Sequence, residues 1–114
     1  MASAFKHAGQ ANPTTDGVGA NVYTAPSNGT AVLHAVYISN KNAATQAVVD
    51  VSATVDGGTT FKSIIKGCII PQNNTFILDK PVNLEANDII RVVSNVADTD
   101  TFISVLENLS LIHI

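Results

Sequence analysis

From Gly17 to Asn40 the chain carries no Asp, Glu, Lys or Arg, yet this stretch contains an evident strand over residues 31–39, AVLHAVYIS. A β-protein standing alone in water guards its open sheet edges with charge, lysine above all. Charged residues make up only 13% of the whole chain, against roughly 25% in an ordinary soluble domain. The consistent outcome is a sheet protein whose wet surface is neutral Ser, Thr and Asn and whose remaining surface touches other protein. The expectation is a structural or interaction module.

Periodicity supports sheet throughout. Ala47, Val49, Val51, Ala53 and Val55 alternate with Val48, Asp50, Ser52 and Thr54, the period-two signature of a half-buried strand. Asp56-Gly57-Gly58 follows as a hairpin signal. In the next strand Phe61, Ile65 and Ile69 are expected on one face and Lys62 and Lys66 on the other. Turn clusters at residues 25–29, 40–42, 71–74, 85–88 and 98–100 separate the remaining apolar runs. Pro26, Pro71 and Pro81 fall between strands, where a missing N–H does no harm. No segment carries a helical stripe. The fold class expected is an all-β antiparallel β-sandwich, jelly-roll or Ig-like, of about seven to eight strands.

Residues 1–20 show neither helical nor strand periodicity, and Gly9, Pro13, Gly17 and Gly19 punctuate small polar residues. They read as an extended N-terminal arm, able to reach about 65 Å. Such an arm lies along a neighbouring subunit or is simply a loose terminus. Residues 21–110 form the sandwich. The tail over residues 111–114, with Leu111, Ile112 and Ile114, either extends the last strand inside the core or docks on a partner, because an apolar end left in water invites aggregation.

Chemistry is sparse. Cys68 sits in an apolar run and reads as an inert buried thiol, and one cysteine forms no internal disulfide. His7, His34 and His113 lie too far apart for a metal-ligand pair. By its parity with Val32, Val36 and Ile38, His34 reads as half-buried and hydrogen-bonded. Asp98 and Asp100 read as turn residues rather than calcium ligands. Nine acids scattered over turns offer no catalytic pair, and Gly17-Val18-Gly19 is followed by no helix to present to a phosphate. No catalytic residue, metal or cofactor is expected, and the chain is not expected to be an enzyme. A net charge of −3 with six isolated Lys and Arg argues against nucleic acid. No apolar run approaches the ~20 residues of a membrane span, and the N-terminus shows no secretory h-region. The fairer rival is a carbohydrate-binding module for host-surface attachment. Against it, the chain has no Trp, four Phe and two Tyr, and Phe61 and Phe102 fit core positions.

Several signals recur in a recognisable order. Gly9-Gln10 and Pro13 come first, then Tyr23-Thr24-Ala25-Pro26, Gly29-Thr30 and Val36-Tyr37-Ile38-Ser39-Asn40. Ile69-Ile70-Pro71, Asn74-Thr75, Leu84-Glu85-Ala86-Asn87-Asp88, Ile90-Arg91 and Leu106-Glu107 complete the series. In this order and spacing, which span nearly the whole chain, it resembles a family of small β-sandwich proteins among the virion genes of tailed bacteriophages, marine and cyanobacterial ones notably. It departs from that pattern at Asn87, where the family tends to have Gly. Asn also tolerates left-handed geometry, so the turn is expected to persist. The segment Leu109–Ile114 has no counterpart.

The resemblance implies a virion structural protein, for capsid decoration or as a neck or tail accessory, assembled in the host cytoplasm. Its partners would be other virion proteins and further copies of itself, a trimer by analogy with decoration and tail proteins. The candidate protein-contact residues are Phe5 and Pro13 in the arm, Tyr23 and Tyr37, and Leu111, Ile112 and Ile114 in the tail.

Overall fold

Alternating residues of β-branched type, broken by Asn, Asp, Gly and Pro, build two antiparallel sheets packed face to face. The structure, a computed structural model, describes residues 2–11 and 19–109. Nine strands are present among these: β1 (Ala2–Ala11), β2 (Ala20–Thr24), β3 (Gly29–Asn40), β4 (Ala47–Thr54), β5 (Phe61–Ile70), β6 (Thr75–Leu78), β7 (Val82–Leu84), β8 (Ile89–Ser94) and β9 (Thr99–Leu109). Sheet A runs β1-β9-β3-β6, with β7 also on β3, and sheet B runs β2-β8-β4-β5. First pairs with last, second with second-last, and so inward to the β4–β5 hairpin. This nested pairing is a jelly-roll winding, which decides between the two sandwich types the pattern allowed.

The count exceeds the expected seven to eight because residues 2–11 add the edge strand β1 and because one further strand is split into β6 and β7. β6 ends with Leu78 opposite Val36, and β7 begins with Val82 opposite Leu33. Between them Pro81 offers no N–H to a ladder. On β3 the register against β9 shifts between Leu33 and Ala35, so a bulge lies across from the break. Ala35 and Val36 are consecutive buried residues there. Parity therefore reverses at the bulge, and His34 is exposed instead of half-buried.

Residues 2–11, read as an arm, form the edge strand β1, paired with β9 from Ala2↔Leu109 to Ala11↔Asp100. Its lack of alternation has a physical cause. Residues 3–7 are all exposed, so few side chains report which face is buried, and main-chain hydrogen bonding to β9 leaves no trace in composition.

The core lies between the sheets. Leu33, Val36, Ile38, Ile103 and Val105 from sheet A meet Val49, Val51, Ile90 and Val92 from sheet B, all of them fully buried. The alternation expected in β4 holds for Ala47, Val49, Val51 and Ala53, while Val55 leaves the sheet at the hairpin and is exposed. Phe61, Ile65 and Ile69 do not share one buried face. Register shifts in the β4–β5 pairing rotate that strand, Ile64, Ile65 and Cys68 pack on the core, and Ile69 is exposed. Asn87 adopts φ 66°, the left-handed turn geometry expected of it. At Gly29 a Cβ would stand 2.2 Å from the Asn108 carbonyl oxygen, so the strand can begin against β9 only without a side chain.

Candidate interaction surface

Strand alternation gives each sheet an outer face, and the two outer faces differ sharply in chemistry. On sheet B the outer face is polar and ionic. Asp50 pairs with Lys66 at 3.1 Å and accepts the Gly67 N–H at 2.8 Å. Arg91 donates to Asn21 and lies 3.6 Å above the Phe61 ring. Exposed Lys62 and Lys66, with a positive-φ Gly67 between Lys66 and Cys68, guard the β5 edge. The Gly67 N–H holds the Asp50 carboxyl below the ordinary aspartate value; burial opposes this, and Lys66 adds to the lowering through its hydrogen bond and its charge.

The outer face of sheet A is neutral and aromatic. The strand register aligns Gly9, Phe102, Tyr37 and Ile77 in one row across four strands. A second row aligns Phe5, Leu106, Val32 and Asn83. Rings bridge these positions: His7 stacks on Phe102 at 5.5 Å, Phe102 meets Tyr37 edge-on at 6.1 Å, and Phe5 tilts against His34 at 5.8 Å. Their upper surfaces stay open, with Phe5 77%, Ile77 50%, Phe102 47% and Tyr37 39% exposed. Among the described residues, the one Asp, Glu, Lys or Arg at an outward position of sheet A is Asp100, at the rim and paired with Lys41 at 3.1 Å. β6 and β7 contain no charged residue.

Of the candidate contact residues, Phe5 and Tyr37 belong to this face. Tyr23 does not: it packs against the core and donates its hydroxyl proton to Glu107 at 2.5 Å, in the seam where β2 approaches β9. Lys6 closes the same node from β1, 3.3 Å from the other Glu107 oxygen. Burial, then the hydrogen bond to Glu107 and its charge, push the Tyr23 hydroxyl well above the ordinary tyrosine value. Pro13, Leu111, Ile112 and Ile114 lie outside the described residues. Phe102, expected in the core, is on the outer face, as are His7, His34, Val32, Leu106 and Ile77. A signal for them exists in TFISVLENL, residues 101–109: Phe102 and Leu106 share one parity while Ile103 and Val105 share the other, so both faces of β9 are apolar.

No cavity is found among the described residues, nor any group of three or more His, Cys, Asp or Glu placed to hold a metal ion. What this surface can do chemically is exclude water against a flat apolar partner.

No protein-family profile matches the chain, and no curated protein matches it either. Among solved structures it is similar to the Eiger TNF of S. frugiperda, at 12% sequence identity over 96% of each chain with a TM-score of 0.45. That likeness is below the level at which fold or role passes from one protein to another.

Proposed function

We propose that this chain is a structural component of a tailed-phage particle, acting through protein–protein contacts as a capsid decoration or a neck or tail accessory protein. One observation supports contact as the mode of action: the outer face of sheet A gathers the exposed rings of Phe5, Tyr37 and Phe102 with Ile77 among neutral polar side chains, its one charged outward residue among the described residues being Asp100, on a molecule whose other face is charged. An exposed patch of this kind on a soluble protein marks an interaction site. The phage assignment rests on the sequence resemblance. No catalytic step or cofactor has a place in this reading. Quantitative mass spectrometry of gradient-purified particles from a producing culture tests it. The chain should be present in fixed ratio to the major structural protein; a chain found free in the lysate and missing from particles would overturn the assignment.

Carbohydrate binding gains one observation as a second reading. Tyr37 and Phe102 form an open ring cluster, beside the Ser39 and Thr75 hydroxyls that bond each other at 2.9 Å. Aromatic faces flanked by hydroxyls suit a sugar. Binding to a surface-polysaccharide panel that is lost in Tyr37→Ala would favour this reading, and silence across the panel would remove it.

A further inference from the structure

We propose that the outer face of sheet A is closed by a second copy of this chain, with Phe102 and Tyr37 near the centre of the contact and Asp100 at its rim. This rests on the contact reading above and specifies the surface and its occupant.

Size is the first argument. β3 and β9 hold 12 and 11 residues. At ~3.4 Å per residue, with four strands about 4.8 Å apart, the face measures roughly 37 by 19 Å, about 700 Å². A standard specific interface takes ~800 Å² from each partner. The face falls a little below that mean but inside the range of about 600–1,000 Å² per partner that specific interfaces span, so a homomeric contact that covers the whole of it reaches the necessary size.

Charge is the second. The net charge of −3 would oppose association of like copies wherever it is displayed. On this face the one carboxylate, Asp100, is neutralised by Lys41 of its own chain, so copy can meet copy without ionic repulsion. A foreign partner selected by charge would find nothing here to read.

The third concerns what else on the molecule could receive such a face. Beyond it, the large exposed apolar residues are Val55, beside the β4–β5 hairpin, and Ile69 at the far end of β5. They stand apart from each other, Val55 in the hairpin turn outside the sheet and Ile69 on β5 of the charged sheet. Among the described residues, the apolar surface of matching extent is the sheet A face itself. Homomeric interfaces also favour the aromatic-rich, charge-depleted composition seen here.

Sedimentation velocity of the full chain, from about 1 to about 200 µM, tests this. The wild type should be a closed oligomer over most of that range. Phe102→Asp would bury an unpaired carboxylate in the contact and should raise the dissociation constant by about 100-fold or more. Ile77→Asp should act in the same direction. Ser52→Asp, on the charged sheet, should leave the oligomer intact. Circular dichroism melts establish that each variant folds; Phe102 and Ile77 are both about half exposed, so the monomer should keep its fold. A wild type that stays monomeric at the highest concentration overturns the proposal, as does an oligomer that survives both face variants or falls apart equally with Ser52→Asp. A monomer that is still found in particles would refute self-contact alone, whereas a face-dependent oligomer absent from particles would refute the phage assignment alone.

Discussion

The Tyr23 hydroxyl on β2 donates its proton to the Glu107 carboxylate on β9, so one side chain from each sheet meets in the seam between them. Lys6, from the edge strand, reaches the second oxygen of the same carboxylate. Glu107 is nearly buried, and its charge is tolerable there because both oxygens have a donor. The linkage has a definite sign. Tyr23 holds its proton more tightly folded than unfolded, so its contribution is complete below about pH 10 and declines as the unfolded chain begins to lose that proton. Tyr23→Phe should cost about 2 kcal/mol at neutral pH and flatten the alkaline decline, as read by urea unfolding between neutral pH and pH 11.

Asn40, at the end of β3, is the comparable tie at one end of the sandwich. Its side-chain amide donates to the carbonyls of Thr45 and Ile70, at 2.9 and 3.1 Å, and its oxygen accepts the Asn42 N–H at 3.0 Å. The residue is 1% exposed, so water cannot replace these partners. Asn40→Ala should lose about 3 kcal/mol, through polar groups left without partners, measured as a lower denaturant midpoint at unchanged slope.

On sheet B the Asp50 carboxylate holds the bulged β5 strand through the Gly67 N–H and Lys66. Because the folded value is depressed, the stabilisation is fully present above the unfolded aspartate value near 3.9 and disappears as pH falls through the folded one. Thermal melts of the wild type should therefore weaken as pH drops below about 4. Asp50→Asn should be less stable at pH 7 and show a shallower loss in acid.

Asn87 occupies left-handed backbone, φ 66°, just before Asp88, whose carboxylate gathers the N–H groups of Gly57 and Glu85 and the Thr54 hydroxyl. Asn87→Ala should cost about 1 kcal/mol, from the left-handed penalty of a Cβ without a compensating short polar group. Asn87→Gly should be close to neutral, and the pair compared by calorimetry separates backbone strain from any loss of side-chain contact.

Ile103 is fully buried in the middle of β9, opposite Ala8 on one side and Val36 on the other. Ile103→Ala should lose about 3–4 kcal/mol through transfer and cavity terms together, several times the effect of Phe102→Ala one residue earlier on the open face. The contrast, measured by chemical denaturation under monomeric conditions, checks which parity of β9 faces inward.

Strand existence was legible where a buried face alternates with a wet one, as in Ala47–Thr54, and turn positions where Asn, Gly or Pro was needed for backbone geometry. The contact surface was only half legible. Phe5 and Tyr37 lie on it as their exposed-strand setting suggests, but Tyr23, in a similar setting, turns into the seam. Phe102 fits a core position equally well on sequence, because an aromatic on a strand packs inward as readily as outward, and parity alone does not say which side holds the second sheet. His34 departs from its parity for a more specific reason: one extra residue on β3 near Leu33 reverses every inference drawn across it.

Composition and periodicity by themselves determined that this chain is all sheet, where it turns, and that its surface is short of charge, because those follow from local backbone preference and from the solvation of individual side chains. Tertiary structure alone decided that the missing charge is concentrated on one face. Charge placement depends on which strands become neighbours, and β1, β9, β3 and β6 are brought together by pairings between residues as far apart as Ala2 and Leu109, a relation that no local pattern encodes.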